Sequence, residues 1–259
     1  MKLGMISGFD VKSFDFIKEN GLEFMEICLN YDQTCNRFID AKESIKENVA
    51  RTGIPVQSVG RWNHEINKGG RLDKEKLDLY FNTLDAAKEI GSKVFVCGIN
   101  YDDSVSKYKN YTAAIELFGL LLQRAGDMKI AVANCDWNNF VVTPADWEIV
   151  IGELPALTIK YDCSHAYNRG SDYLREINDW GEHISHFHIK GTTHAGKKPV
   201  DDPPAGMDDI KWGSVFSILY ARKYDGGLSI EPHSETWQGE LGHAGIKFTQ
   251  NYIKQFIIK

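Results

Sequence analysis

The chain has 259 residues, 42% of them hydrophobic and 25% charged, with a mean hydropathy of −0.35, a net charge of −6 and a pI near 5.8. That composition supports a large buried core and argues against a nucleic-acid backbone or an anionic membrane as partner, since both call for a clustered basic face. No apolar run reaches membrane-spanning length, and Met1-Lys2-Leu3-Gly4 opens without the apolar stretch of a signal peptide, so a cytoplasmic protein is expected.

In chain order, residues 2–8 read as a short strand, followed by an amphipathic stretch from Val11 to Asn20 that stops at Gly21. Phe24 to Leu29 is a second strand, a helix is expected around Asn36–Arg51 with its stop at Gly53, and Val56 to Val59 is a third strand. The loop Gly60-Arg61-Trp62-Asn63-His64 precedes a long helix from about Asp73 to Ile90, closed by Gly91. Lys93–Cys97 is strand four, and Lys107–Ala125 is a helix with apolar residues at helical spacing, ended by Gly126. Strands five to eight are Lys129–Ala133, Leu157–Tyr161, Ile184–His188 and Gly227–Ile230. The helices Pro144–Gly152, Asp172–Trp180 and Trp212–Arg222 lie between them, and a last helix spans Ile246 to Phe256. A glycine just beyond a helix takes the left-handed conformation that turns the chain back toward the next strand. Eight strands alternating with eight helices predict one domain over residues 1–259, a single (β/α)8 barrel of the α/β class. The stretch Gly191 to Asp209, rich in proline, is long enough to be a lid or binding loop.

Three strands end alike: Ile159-Lys160-Tyr161-Asp162-Cys163-Ser164-His165, Ile184-Ser185-His186-Phe187-His188-Ile189-Lys190, and Leu228-Ser229-Ile230-Glu231-Pro232-His233. A buried apolar run seldom finishes in Asp, His or Glu without reason, because an unpaired buried charge costs several kcal/mol. Barrel enzymes build their sites at these C-terminal strand ends. Those ends collect Glu26, the Trp62 and His64 loop, Asn134 to Asp136, Asp162, His165, His186 to Lys190, Glu231 and His233. Carboxylates with imidazole and no required thiolate suit a divalent ion such as Mn²⁺, Mg²⁺, Co²⁺ or Zn²⁺. The five cysteines are odd in number and form no CxxC pair, so free thiols filling small buried positions in a reducing compartment are expected.

These residues carry a resemblance. Tyr-Asp-Cys-Ser-His (161–165), His-Phe-His-Ile-Lys (186–190), Gly-Gly-Leu-Ser-Ile-Glu (226–231) and the stretch Ala205 to Trp212 are similar to the motifs of the xylose isomerase-like barrel superfamily, in particular its sugar phosphate isomerase/epimerase group. The resemblance implies a metal site of Glu, Asp, His and Glu from strands five to eight. Carried over by position, it puts Asp162, His188 and Glu231 on the metal. The first ligand falls at Ala133, where this sequence departs; Asn134 is left as a weaker amide ligand, or Asp136 as one reaching back. The implied activity is a metal-dependent isomerase or epimerase acting through an enediolate on a small sugar, polyol or sugar phosphate. In that reading Glu231 is the base, His165 and Lys190 act with it and orient hydroxyls, and Trp62, His64, Asp136, His233 and Trp237 contact substrate. Loss of the carboxylate at position 133 puts the two-carboxylate route of epimerisation in doubt. It keeps two alternatives open, a dehydratase of a keto-polyol or keto-acid and a sugar-binding barrel without catalysis. An abasic-site endonuclease, similar in fold, is disfavoured by the negative charge. The expected partner is a small carbohydrate, and a homo-oligomer is the expected assembly.

Overall fold

The structure is a computed structural model that describes residues 1–63 and 65–258. Eight parallel strands close into a barrel: β1 (Lys2–Ser7), β2 (Met25–Leu29), β3 (Val56–Arg61), β4 (Val94–Cys97), β5 (Lys129–Ala133), β6 (Thr158–Asp162), β7 (Ile184–Ile189) and β8 (Gly227–Ile230), with β8 returning to β1. The register runs Leu3 to Leu228 across that closing seam and Asp162 to His188 between β6 and β7. The expected (β/α)8 barrel is the observed fold. No helix among the described residues is long and apolar enough to cross a membrane.

Three local readings differ from the structure. The helix expected over Asn36–Arg51 is two, Asp32–Asp40 and Lys42–Thr52, which meet at Ala41. The first begins earlier because Thr34 Oγ1 accepts from the Tyr31 backbone N–H at 3.1 Å and caps it. The last helix starts at Gly239 rather than Ile246. Its early glycines lower helix propensity, yet the packing demands them: a Cβ on Gly242 would lie 2.7 Å from the Trp237 carbonyl oxygen, and one on Gly245 2.9 Å from the Trp237 ring. The stretch Gly191 to Asp209 carries a two-stranded hairpin, Thr193–Ala195 with Lys198–Asp201.

Alternation along the strands sorts side chains between the helices outside and the lumen within. On β6, Tyr161 faces outward, giving its hydroxyl to Glu176 at 2.7 Å and its ring edge to Trp147, while Lys160 and Asp162 face the lumen. The lumen is divided. Its β4–β5 side is apolar, with Trp62 over Val94, Val96, Ala131 and Ala133; its other side holds Glu26, Ser58, Asp162, His186, His188 and Ser229, all buried. The lower end is closed by Phe24, whose ring lies 6.2 Å from that of His186. Gly4 on β1 and Gly227 on β8 make room for it, since a Cβ on Gly4 would come within 2.4 Å of the Phe24 carbonyl oxygen and one on Gly227 within 3.0 Å of the ring.

Candidate active site

Asp162 closes β6 and caps the short helix Cys163–Asn168. Its Oδ1 accepts from the Ser164 backbone N–H at 2.8 Å and the Ser164 hydroxyl at 2.7 Å. Its Oδ2 is buried, has no hydrogen-bond partner among the described residues, and faces the lumen. Around that oxygen stand three nitrogens: His165 Nε2 at 3.6 Å, His188 Nδ1 at 3.8 Å and Lys160 Nζ at 3.8 Å. All three are too far for a direct hydrogen bond.

On β7, His188 bridges two carboxylates. Its Nδ1 lies 2.6 Å from Glu231 Oε2 and its Nε2 3.0 Å from Glu26 Oε2 on β2. His186, two residues back on the same face, also meets Glu26 Oε2 at 2.7 Å, and Ser58 Oγ at 3.1 Å. Burial works against the charge of Glu26, but His188 and His186 outweigh it and hold its carboxyl well below the usual carboxylate range. Glu231 is held low in the same way, by Lys190, His188 and Lys160 against burial. Burial would make His188 neutral, yet Glu26 and Glu231 on its two ring nitrogens raise its pKa. Burial pushes His165 down to about 4, so it is an uncharged imidazole at neutral pH.

The expected site residues fall into three groups. Asp162, His188 and Glu231 come together, with one donor atom from each within 4.8 Å of the others. Lys190 is beside them, 3.8 Å from Glu231 Oε1 and 3.5 Å from Asp202 Oδ2, and Trp62 is the buried apolar wall over β4 and β5. His165 stands between Asp162 and the loop after β5, where it forms a second close set with Cys135 and the exposed Asp136. His233 and Trp237 lie farther out. His233 is mostly exposed and meets Asp202 at 3.1 Å. Trp237 packs on Gly245 of the last helix and shares with Glu231, Asp202 and His233 a cavity of about 30 Å³. His64 lies outside the described residues.

Asn134 does not serve as expected. Its Oδ1 accepts the Asp162 backbone N–H and its Nδ2 donates to the Asp162 carbonyl, both at 2.9 Å, so its amide is turned to the neighbouring strand end. It brackets the end of β6 that carries Asp162, and its amide oxygen is already taken by backbone. Two residues carry more of the site than the sequence reading allowed. Glu26 was singled out as a strand-end acid, but its link to both histidines was not visible. Lys160 went unread inside an apolar run, although a charge between Ile159 and Tyr161 was the available signal.

The residues fit a divalent ion. Two carboxylates and an imidazole supply the donors. The unpartnered Asp162 Oδ2 aims at the same space as His188 Nδ1 and Glu231 Oε2. Glu26 holds the far nitrogen of His188, as a carboxylate does behind a metal-bound histidine.

The sequence model of the family described as "Xylose isomerase-like TIM barrel" matches residues 14–252. The chain belongs to that family. Among solved structures, this xylose isomerase-like barrel is similar to 3-keto-D-glucoside 4-epimerase, YcjR, from E. coli, at 18% identity over 98% of this chain and 99% of that one, with a TM-score of 0.78. It is similar to D-psicose 3-epimerase from Clostridium cellulolyticum H10, solved with D-tagatose, at 13% identity over all of both chains and a TM-score of 0.81. It also resembles D-allulose 3-epimerase from Methylomonas sp., at 15% identity over 99% and 98% of the two chains, with a TM-score of 0.78. At such identities the likeness is one of fold. No curated protein matches the chain.

Proposed function

We propose that this barrel is a carbohydrate isomerase or epimerase whose divalent ion is held by Asp162, His188 and Glu231. The observation that carries the reading is the unpartnered Asp162 Oδ2, buried and facing His188 and Glu231, with Glu26 fixed behind His188. The descriptions of the similar structures as sugar epimerases support a small-sugar substrate. A bound ion would polarise a substrate carbonyl and stabilise the enediolate formed next to it.

The protein's own groups then divide the work. Glu231 is the more open of the two triad carboxylates, with its side chain 19% exposed against none for Asp162, and it takes the proton from the carbon beside the carbonyl. Lys190, held charged above the ordinary lysine range because Glu231, Asp162 and Asp202 outweigh its burial, donates to a substrate hydroxyl. Neutral His165 orients another, and Trp62 bounds the sugar on its apolar side. On β5 the lumen offers Ala131 and Ala133, so no second carboxylate faces Glu231 from that strand. One base moving a proton between adjacent carbons performs an aldose–ketose isomerisation, and this favours isomerisation over a two-base epimerisation. The five unpaired cysteines support a reducing, cytoplasmic setting.

Metal analysis of the purified protein beside His188→Ala tests the site: near-stoichiometric divalent ion in the first and none in the second is expected. The Mn²⁺-loaded protein is then assayed by NMR on D-fructose, D-psicose and D-tagatose. Glu231→Gln should lower turnover by about 10²-fold or more and still give a cooperatively unfolding barrel, with a lower midpoint because His188 and Lys190 lose their charged partner. An active Glu231→Gln variant would overturn the role of that residue, and a product lighter by one water would establish a dehydratase instead.

A further inference from the structure

Lys160 is the charged residue of the lumen left without a task. It is 1% exposed, faces inward from β6 and stands where the apolar and charged halves of the lumen meet. Its Nζ lies 5.3 Å from the centroid of the Trp62 ring and 3.8 Å from Asp162 Oδ2, and its register neighbour on β5 is the small Ala133. A long cationic side chain buried here loses its hydration, and it stays only where fixed negative charge holds it. That charge is the oxygen the metal reading assigns to the ion.

The surroundings of that oxygen bear this out. Lys160 Nζ stands as close to Asp162 Oδ2 as His188 Nδ1 does, each at 3.8 Å, while the second lysine of the site, Lys190, is held instead by Asp202 at 3.5 Å and Glu231 at 3.8 Å. An incoming dication must share Asp162 with an ammonium already beside it, and at these separations charges in a protein interior act strongly on each other.

We propose that Lys160 is a built-in counter-ion of the metal centre, which keeps divalent-ion affinity low and keeps the barrel folded when the ion leaves. The inference rests on the triad assignment made above. Lys160 is a positioning residue, acting on the ion through Asp162.

The test is Mn²⁺ titration by calorimetry, with thermal melts with and without Mn²⁺, on the full chain as wild type, K160M and K160R, with H188A as the binding control. K160M should bind Mn²⁺ at least tenfold more tightly than wild type, the equivalent of about 1.4 kcal/mol. It should melt lower than wild type without the ion and recover with it. K160R, which keeps the charge, should stay near wild type in both. If K160M does not fold, Lys160→Gln carries the same expectations. Wild type binding Mn²⁺ in a His188-dependent way, with the neutral variant no tighter, would overturn the role of Lys160 alone. No binding by either protein would overturn the triad assignment with it. Binding by K160M but not by wild type would support the counter-ion in its strongest form.

Discussion

Glu26→Gln is the perturbation whose size the structure defines most directly. The carboxylate is fully buried, 2.7 Å from His186 and 3.0 Å from His188, so it is at once the partner of two imidazoles and the support of the histidine proposed as a ligand. At an effective dielectric of about 20, opposite charges 3 Å apart attract by about 5–6 kcal/mol. Gln keeps the volume and one acceptor but not the charge, and it turns an N–H₂ toward groups that themselves donate. Breaking a buried pair from one side typically costs about 3–5 kcal/mol, and the retained acceptor places this change near 3. In a chain of this length each kcal/mol moves Tm by about 2–4 °C, so the metal-free variant should melt about 6–12 °C below wild type at pH 7. Because Glu26 also orients His188, Mn²⁺ affinity should fall by about 10–100-fold. Thermal melts followed by circular dichroism and Mn²⁺ titration measure the two effects. A variant within about 2 °C of wild type in Tm and unchanged in Mn²⁺ affinity would refute both the charge pairing and the supporting role.

The same carboxylates shape the response to acid. The folded values of Glu26 and Glu231 lie below their ordinary 4.5, so the unfolded chain takes up their protons first as pH falls. Their contribution is whole above 4.5 and is lost as pH drops through the folded values; His165, pushed down to about 4, adds an earlier loss that begins below 6.5, so the urea midpoint of metal-free protein should start to fall below about pH 6.5 and fall more steeply below 4.5. His188 has the opposite sign: raised above 6.5, its contribution is present below that pH and lost as pH rises through its folded value, so a second decline on the alkaline side should vanish in His188→Ala. In the barrel wall, Gly4→Ala forces a methyl to 2.4 Å from the Phe24 carbonyl oxygen and should cost at least about 2 kcal/mol by urea unfolding, whereas Gly152→Ala, with nothing within 4 Å, should be neutral or slightly stabilising. Equal effects would mean that Phe24 is not closely held.

The order of strands and helices was legible because it rests on local chemistry: apolar runs long enough for one buried strand, and glycines that stop the helices between them. Asp162, His188 and Glu231 were legible for a related reason, since each is a charged or ligating group ending such a run. The partners of those groups were not. Glu26 lies 160 residues from His186 in the chain, and only closure of the barrel makes them neighbours. Asn134 misled because a polar residue beside a missing ligand reads as its substitute, while the register of β5 on β6 gives its amide to backbone. The start of the last helix was hidden by Gly242 and Gly245, whose low propensity is overridden by the fit against Trp237.

Phe24 gives the barrel a floor. Its ring is seated against Gly4 and Gly227, beneath His186 and on the side of the lumen away from the loops that follow β6, β7 and β8. In the proposed isomerisation, a proton lifted from a sugar carbon onto Glu231 would sit above that floor, and its exchange with bulk water would compete with its return to the substrate. Reaction of a carbon-deuterated ketose in ordinary water should therefore leave a measurable part of the label in the product, and Phe24→Ala, which opens the floor, should wash that label out.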